Sequence, residues 1–200
     1  MRWDRFFEDL EDQLDSEWEA ERAALESEAE RLRLSRLSLA QRLRALTASE
    51  AGTVAVDLVD GSAVPGRVTG VGADWLALAL AETRAGAAIV PLEAVAGIGM
   101  ASADLLRTAR ADPVPPVRLS ERMTLGFVLR DLARRRVPVT VHGRSGRAAA
   151  GTIDRALADH LDLALHDPGQ PRRAPAVTAF RLIPFSAIAW IRLESAVPFP

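Results

Sequence analysis

Residues Val54 to Leu80, VAVDLVDGSAVPGRVTGVGADWLALAL, decide how the rest of the chain is read. Val54 and Val56 alternate like one face of a half-buried strand, and Asp60-Gly61 is a hairpin turn signal. Gly66 opens the next strand, at a point where a side chain is expected not to fit against a strongly bent sheet. Leu76, Leu78 and Leu80 then alternate with one face inward.

The pattern is written twice. A shift of 85 residues lays the segment on VTVHGRSGRAAAGTIDRALADHLDLAL, residues 139–165, without a gap. Val54 and Val56 meet Val139 and Val141, Gly61 and Gly66 meet Gly146 and Gly151, and the three leucines meet Leu161, Leu163 and Leu165. Downstream, Val90-Pro91-Leu92 with Ala94, Val95 and Ile98 matches Ile183-Pro184-Phe185 with Ala187, Ile188 and Ile191 at an offset of 93. The second copy therefore carries eight extra residues, in HDPGQPRRAPAVTAF (166–180). Upstream, RLSLAQRLRAL (36–46) matches RMTLGFVLRDL (122–132) at an offset of 86. The chain reads as an internal duplication of about 80 residues.

Each copy predicts a short helix followed by five strands. Leu37, Leu39, Leu43 and Leu46 in the first, and Met123, Leu125, Val128, Leu129 and Leu132 in the second, fall at helical spacing, with Ser38 and Thr124 in the first turns. The segments ending at Ile98 and Ile191 supply the last two short strands, and five short bent strands can close into a small barrel.

Helix, then V-x-V-x-x-x-x-G-x-x-x-x-G-x-hydrophobic, then an acidic turn before alternating leucines and a hydrophobic segment ending in Ile, resembles the Sm-like (LSm, Hfq-like) barrel over residues 36–99 and 122–193. The resemblance implies an α+β, mainly β fold. It consists of two tandem five-stranded Sm-like or SH3-like barrels, each preceded by a short helix, after a long N-terminal amphipathic helix. It also implies assembly through strand–strand contacts and a tie to RNA. Two departures stand out. The Asn that RNA-binding members place in the third strand is Ala77 in one copy and Asp162 in the other, and Pro91 and Pro184 stand near the family's second motif. Ala offers no hydrogen bond there and Asp would repel phosphate.

The domain layout expected is an acidic helix at 1–35, a first barrel at 36–100, a short helix near Ala103 to Arg110 with a Pro-rich linker (Pro113, Pro115, Pro116) at 101–120, and a second barrel at 121–200. The arm has no helix breaker over its first 34 residues, and Trp3, Phe6, Phe7, Leu10, Leu14, Trp18, Leu25 and Leu32 form a stripe spaced by threes, fours and sevens. Glu21 and Glu28 interrupt that stripe, which argues against a long coiled-coil dimer.

Charge is graded along the chain. Net charge is −2, made of −7 over residues 1–34, −1 over 35–117 and +6 over 118–200. Every basic residue other than His is Arg, and Lys, Asn, Tyr and Cys are absent, a usage that fits a high-GC genome. Without cysteine there is no disulfide, thiol catalysis or Cys-based zinc site. No apolar run is long enough to span a membrane and the N-terminus has no signal-peptide core, so a cytoplasmic protein with no membrane partner is expected.

Candidate sites are few. Arg130, Arg134, Arg135, Arg136, Arg144 and Arg147, with Arg172 and Arg173 in the inserted loop, could supply the phosphate attraction of a nucleic-acid surface. Phe127 is expected in the core, which would leave that surface without a stacking platform. His160, Asp162 and His166 share one strand face, read as a polar outer face rather than a metal site. The equivalent face of the first copy, Trp75, Ala77, Ala79 and Ala81, is apolar and must be covered by the arm, by the other barrel or by another subunit. No nucleophile–base pair, G-x-S-x-G turn, phosphate loop or dinucleotide fingerprint occurs, so no enzyme, cofactor, metal or small-molecule substrate is expected. The expected function is a scaffold or adaptor. It would bind a protein partner, or itself, through Trp3, Phe6, Phe7, Leu10, Leu14 and Trp18 of the arm and Trp75 of the first barrel. An RNA-binding regulator using the arginines is the alternative.

Overall fold

The computed structural model describes residues 2–47, 51–81, 86–110, 122–168 and 173–194, with backbone alone at 2–12, 15 and 174. Two units separate, residues 1–38 and 39–200. The first is helix α1, Arg2–Ser35. At 1.5 Å per residue it is about 50 Å long. On its surface Arg33 bonds Glu30 and Gln13 bonds Glu17, one turn apart, beside exposed apolar side chains.

In the second unit, α2 (Leu39–Ala45) precedes β1 (Val54–Leu58), β2 (Ala63–Val71), β3 (Trp75–Leu80), β4 (Ala87–Pro91) and β5 (Val95–Gly99). Helix α3 (Ser102–Ala109) follows. The second copy repeats the order: α4 (Leu125–Arg135), β6 (Pro138–Gly143), β7 (Ala148–Ala156), β8 (His160–Leu165), β9 (Ala179–Pro184) and β10 (Ile188–Leu193). Pro113, Pro115, Pro116 and Arg172 lie outside the described residues.

Local signals act alike in both copies. Gly61 and Gly146, the hairpin glycines, take φ of 83° and 75°, a region that other residues rarely enter. At Gly66 a Cβ would lie 2.6 Å from the Ala79 carbonyl oxygen, and at Gly151 2.1 Å from that of Ala164. In both copies the ladder slips two residues further on, between Val68 and Gly70 and between Ile153 and Arg155. The long second strand therefore bends at the same place twice, next to a backbone contact that only glycine permits.

The expectation of two separate five-stranded barrels is overturned. All ten strands form one open antiparallel sheet, in the order β5-β1-β2-β3-β4-β10-β6-β7-β8-β9. Each copy keeps its own five strands adjacent, but β4 does not return to close its own copy. It pairs with β10, with Ile191 opposite Ile89, Arg192 opposite Ala88 and Leu193 opposite Ala87. The sheet runs through the boundary between the copies because β4 buries all five of its residues there.

Two cores result, and each borrows from the other copy. Leu43, Leu46, Val56, Leu76, Leu78 and Val90 form the first, with Trp190 of β10 packed against it. The second gathers Leu125, Leu129, Leu132, Ile153, Leu161 and Ile191, together with Trp75, Ala77 and Ile89 of the first copy. Side chains alternate across a strand, so β3 and β4 serve one core with each face.

Candidate functional site

Of the apolar face expected to be covered, Trp75 and Ala77 are buried in the core of the second copy, while Ala79 is half-buried and Ala81 is exposed. Trp75 is 2% exposed rather than available to a partner. Its indole N–H donates to the Met123 carbonyl at 2.9 Å, which pins the entry to α4. Beside it, the Asp74 carboxylate accepts from the Leu125 amide at 2.6 Å, satisfying a helix N-terminal donor that would otherwise be unpaired. Trp75 is therefore a residue of the seam between the copies.

A cleft of about 550 Å³ opens along this seam, lined by Asp74, Leu92, Glu93, Leu125, Asp159 and Phe185 among others. Each of its carboxylates already has a partner. Asp74 serves the Leu125 amide, Glu93 accepts from Arg144 at 2.9 Å, and Asp159 accepts from His160 Nδ1 at 2.7 Å. The His160 hydrogen bond holds the Asp159 carboxyl below its ordinary range. A carboxylate so committed is a poor general base.

His160, Asp162 and His166 do not act together. His166 is buried, with Nδ1–H donating to the Asp167 carbonyl at 3.0 Å, so in the neutral ring Nε2 accepts from the Thr152 hydroxyl at 2.8 Å. Among the described residues no group of three His, Asp or Glu could hold a metal ion. His142, the remaining histidine, stacks on Trp190 with ring centroids 3.9 Å apart. Burial pushes its pKa down, with Arg192 acting in the same direction and Asp60 opposing.

The arginines divide into separate groups. Arg134 and Arg135 both bond Asp131 on α4. Burial raises the Asp131 carboxyl, but these two hydrogen bonds outweigh it and hold the group below its ordinary value. Arg130 donates to the Leu157 carbonyl. Arg136 ends α4 in a left-handed conformation, φ 52°, the only non-glycine among the described residues with positive φ. Arg144 is held at the seam by Glu93, while Arg147 and Arg173 are exposed.

Phe127 is exposed rather than in the core, 45% of its surface being open. It falls off the stripe Leu125, Val128, Leu129 and Leu132 that α4 buries, and shares the outer side of the helix with Arg130 and Arg134. An aromatic ring thus lies among the arginines after all.

On α1, Leu14, Trp18, Leu25 and Leu32 are exposed, Trp18 by 66%. The side chains of Trp3, Phe6, Phe7 and Leu10 lie outside the described residues. Among the further exposed apolar residues that the sequence pattern does not single out are Phe180 and Leu182 of β9. Their signal was present: at an offset of 93 they stand where the first copy has Ala87 and Ile89.

No helix among the described residues is long and apolar enough to cross a membrane. No family model, curated protein or solved structure matches the chain.

Proposed function

We propose that the chain is a non-enzymatic, cytoplasmic scaffold or adaptor, whose N-terminal helix binds a protein partner while the duplicated sheet provides the rigid body. The observation that carries this reading is the row of exposed apolar side chains on α1, Leu14, Trp18, Leu25 and Leu32, flanked by acidic residues. An amphipathic helix of this kind suits a hydrophobic groove with a basic rim, because it places anchors every one or two turns and charges beside them. The covered seam narrows the reading: Trp75 belongs to the body, and binding rests with the helix.

The test is affinity capture with the full chain and with a Trp18→Glu/Leu25→Glu variant whose circular dichroism matches the parent. A partner held by the parent and lost from the variant supports the adaptor. The same proteins captured by both would overturn it.

A second reading, contact with single-stranded RNA, is favoured by one observation, Phe127 exposed beside Arg130 and Arg134. Stacking on an aromatic with nearby guanidiniums is the usual chemistry of such contacts. Fluorescence anisotropy of labelled RNA, at low and moderate salt, tests it. Salt-sensitive binding weakened by Phe127→Ala would support RNA, and no binding at low salt would remove it.

A further inference from the structure

Every described side chain of α1 except Arg33 is exposed, although helices in proteins draw most of their stability from packing an apolar face. Over residues 14–32 that face has a regular step. Leu14, Trp18, Glu21, Leu25, Glu28 and Leu32 follow one another by four, three, four, three and four, the spacing of a coiled-coil seam. We propose that α1 pairs antiparallel with α1 of a second copy of this chain, giving a two-chain protein joined at its helices. This pairing rests on the reading of α1 as the binding element, and it names the partner.

The two glutamates choose the orientation. A parallel pair in register sets Glu21 on Glu21 and Glu28 on Glu28, two like-charge layers within an apolar seam. Reversing one helix lets both glutamates face apolar residues. With Leu14 opposite Leu32, Trp18 falls opposite Glu28 and Glu21 opposite Leu25, each contact occurring twice. The Trp18 indole N–H then has the Glu28 carboxylate as an acceptor, which gives a polar group in the seam its partner. Sliding the reversed helix by one heptad, to put Leu14 opposite Leu25, would bring Glu28 against Glu11 and lose this match.

The flanks agree with the same orientation. Beside the seam stand Asp15 and Glu17 in the first half, and Arg22, Ala24, Ala29 and Arg31 in the second. In the reversed pair Glu17 of each helix lies beside Arg31 of the other, an attraction at both ends of the contact. Arg22 meets its own copy near the centre, where Glu19 and Glu26 stand one turn away on the same helix. The charge gradient acts alike. Residues 1–19 hold eight acidic and two basic side chains, and residues 20–36 hold four of each. A parallel pair stacks the two acidic halves, whereas an antiparallel pair separates them.

Such a contact is isologous, using the same surface on both chains, so it closes at two chains and does not propagate. The seam is about 28 Å long, which makes a dimer that dissociates on dilution the expected form.

The experiment uses the full chain. Sedimentation equilibrium should show a reversible step from 21.6 kDa to twice that mass and nothing heavier. Trp18→Glu/Leu25→Glu should abolish the step. Glu17→Arg and Arg31→Glu should each weaken dimerisation about tenfold, and the two together in one chain should restore it. Failure of that rescue would overturn the antiparallel register.

Orientation is read by cysteines, since the chain has none of its own. A Leu14→Cys chain mixed with a Leu32→Cys chain should oxidise to a mixed dimer, and neither should link to itself. Self-linked species without the mixed one would mean a parallel pair and overturn the proposal. A wild type that stays a single chain up to its solubility limit overturns it too. The adaptor reading would survive that result if capture still held a different protein that Trp18→Glu/Leu25→Glu loses. Dimers that persist in Trp18→Glu/Leu25→Glu overturn the pairing and assign self-association to the sheet instead.

Discussion

β4 and β9 are the same strand in two copies of one module, yet they live in opposite environments. Both follow an alternating leucine strand, both end in proline, and both pair with their third strand in the same register, Trp75 opposite Pro91 and His160 opposite Pro184. One is completely buried and the other almost completely exposed. The composition of the paired faces matches those environments: Trp75, Ala77, Ala87 and Ile89 in the first copy, His160, Asp162, Phe180 and Leu182 in the second. Two alanines with Trp75 and Ile89 fill a tightly packed seam within one chain, whereas mixed polar and large apolar side chains tolerate water.

The sharpest way to break this comparison is to truncate equivalent residues on the two faces. Trp75→Ala empties a buried indole site and removes the donor to Met123, so it should cost about 3–5 kcal/mol in denaturant unfolding. His160→Ala, its counterpart, removes a partly exposed ring whose bond is to the exposed Asp159. It should change stability by about 0.5 kcal/mol or less. Equal costs at the two positions would mean that the seam does not carry the stability assigned to it.

The next effect is steric. Gly151→Ala drives a Cβ into the Ala164 carbonyl oxygen and should cost about 1–3 kcal/mol, the range of an overpacked interior. Gly66→Ala meets the Ala79 carbonyl at a longer distance and should cost less. Thermal unfolding of the two variants ranks them. A reversed order would show that β2 gives way more stiffly than β7.

These glycines also mark how much of the fold the sequence carried. Turn and strand signals are local: a glycine in the left-handed region or under a carbonyl is recognisable from its neighbours and its repeat. Helices, hairpins and the shared bend were therefore readable. The closing pair of each five-strand set was not. β4 could return to its own fifth strand or take that of the other copy, and the two alternatives bury similar apolar residues. Only the Trp75–Ala77–Ala79 face pointed to something covering it, and it left three candidates. The misplacement of Phe127 has a simpler cause. Residues 125, 128, 129 and 132 already define the buried side of α4, and 127 lies outside it. Phe180 and Leu182 went unnoticed because they follow the eight-residue insertion, where the alignment changes offset.

A smaller effect concerns pH and the other side of the seam, where His142 stacks on Trp190. The folded pKa lies below the ordinary value of 6.5 because burial disfavours the imidazolium. The unfolded chain then takes up the proton more readily than the folded one. Stability should be fully present above pH 6.5 and should fall as pH drops from there toward the lower folded value. Denaturant midpoints at several pH values should show this in the wild type and a reduced slope in His142→Phe, which keeps an aromatic ring under Trp190. Depressed carboxyls such as Asp131 and Asp60 act in a separate window, below their unfolded pKa near 4. An unchanged slope in His142→Phe would remove His142 as the titrating group.

The smallest effect should come from the most visible contact across the copies, Arg144 with Glu93. The pair is 2.9 Å long but partly open to water, with side-chain exposures of 33% and 59%. Exposed pairs of this kind contribute about 0–1 kcal/mol and weaken with salt. A double-mutant cycle with Arg144→Ala and Glu93→Ala should return a coupling in that range, shrinking at high salt. The repeat explains why so little is expected of it. The equivalent positions at the free edges are Val59 and Ser186, which cannot form an ion pair, so the pair is not a shared feature of the module. If the coupling instead matched the cost of Trp75→Ala, charge rather than burial would hold the copies together.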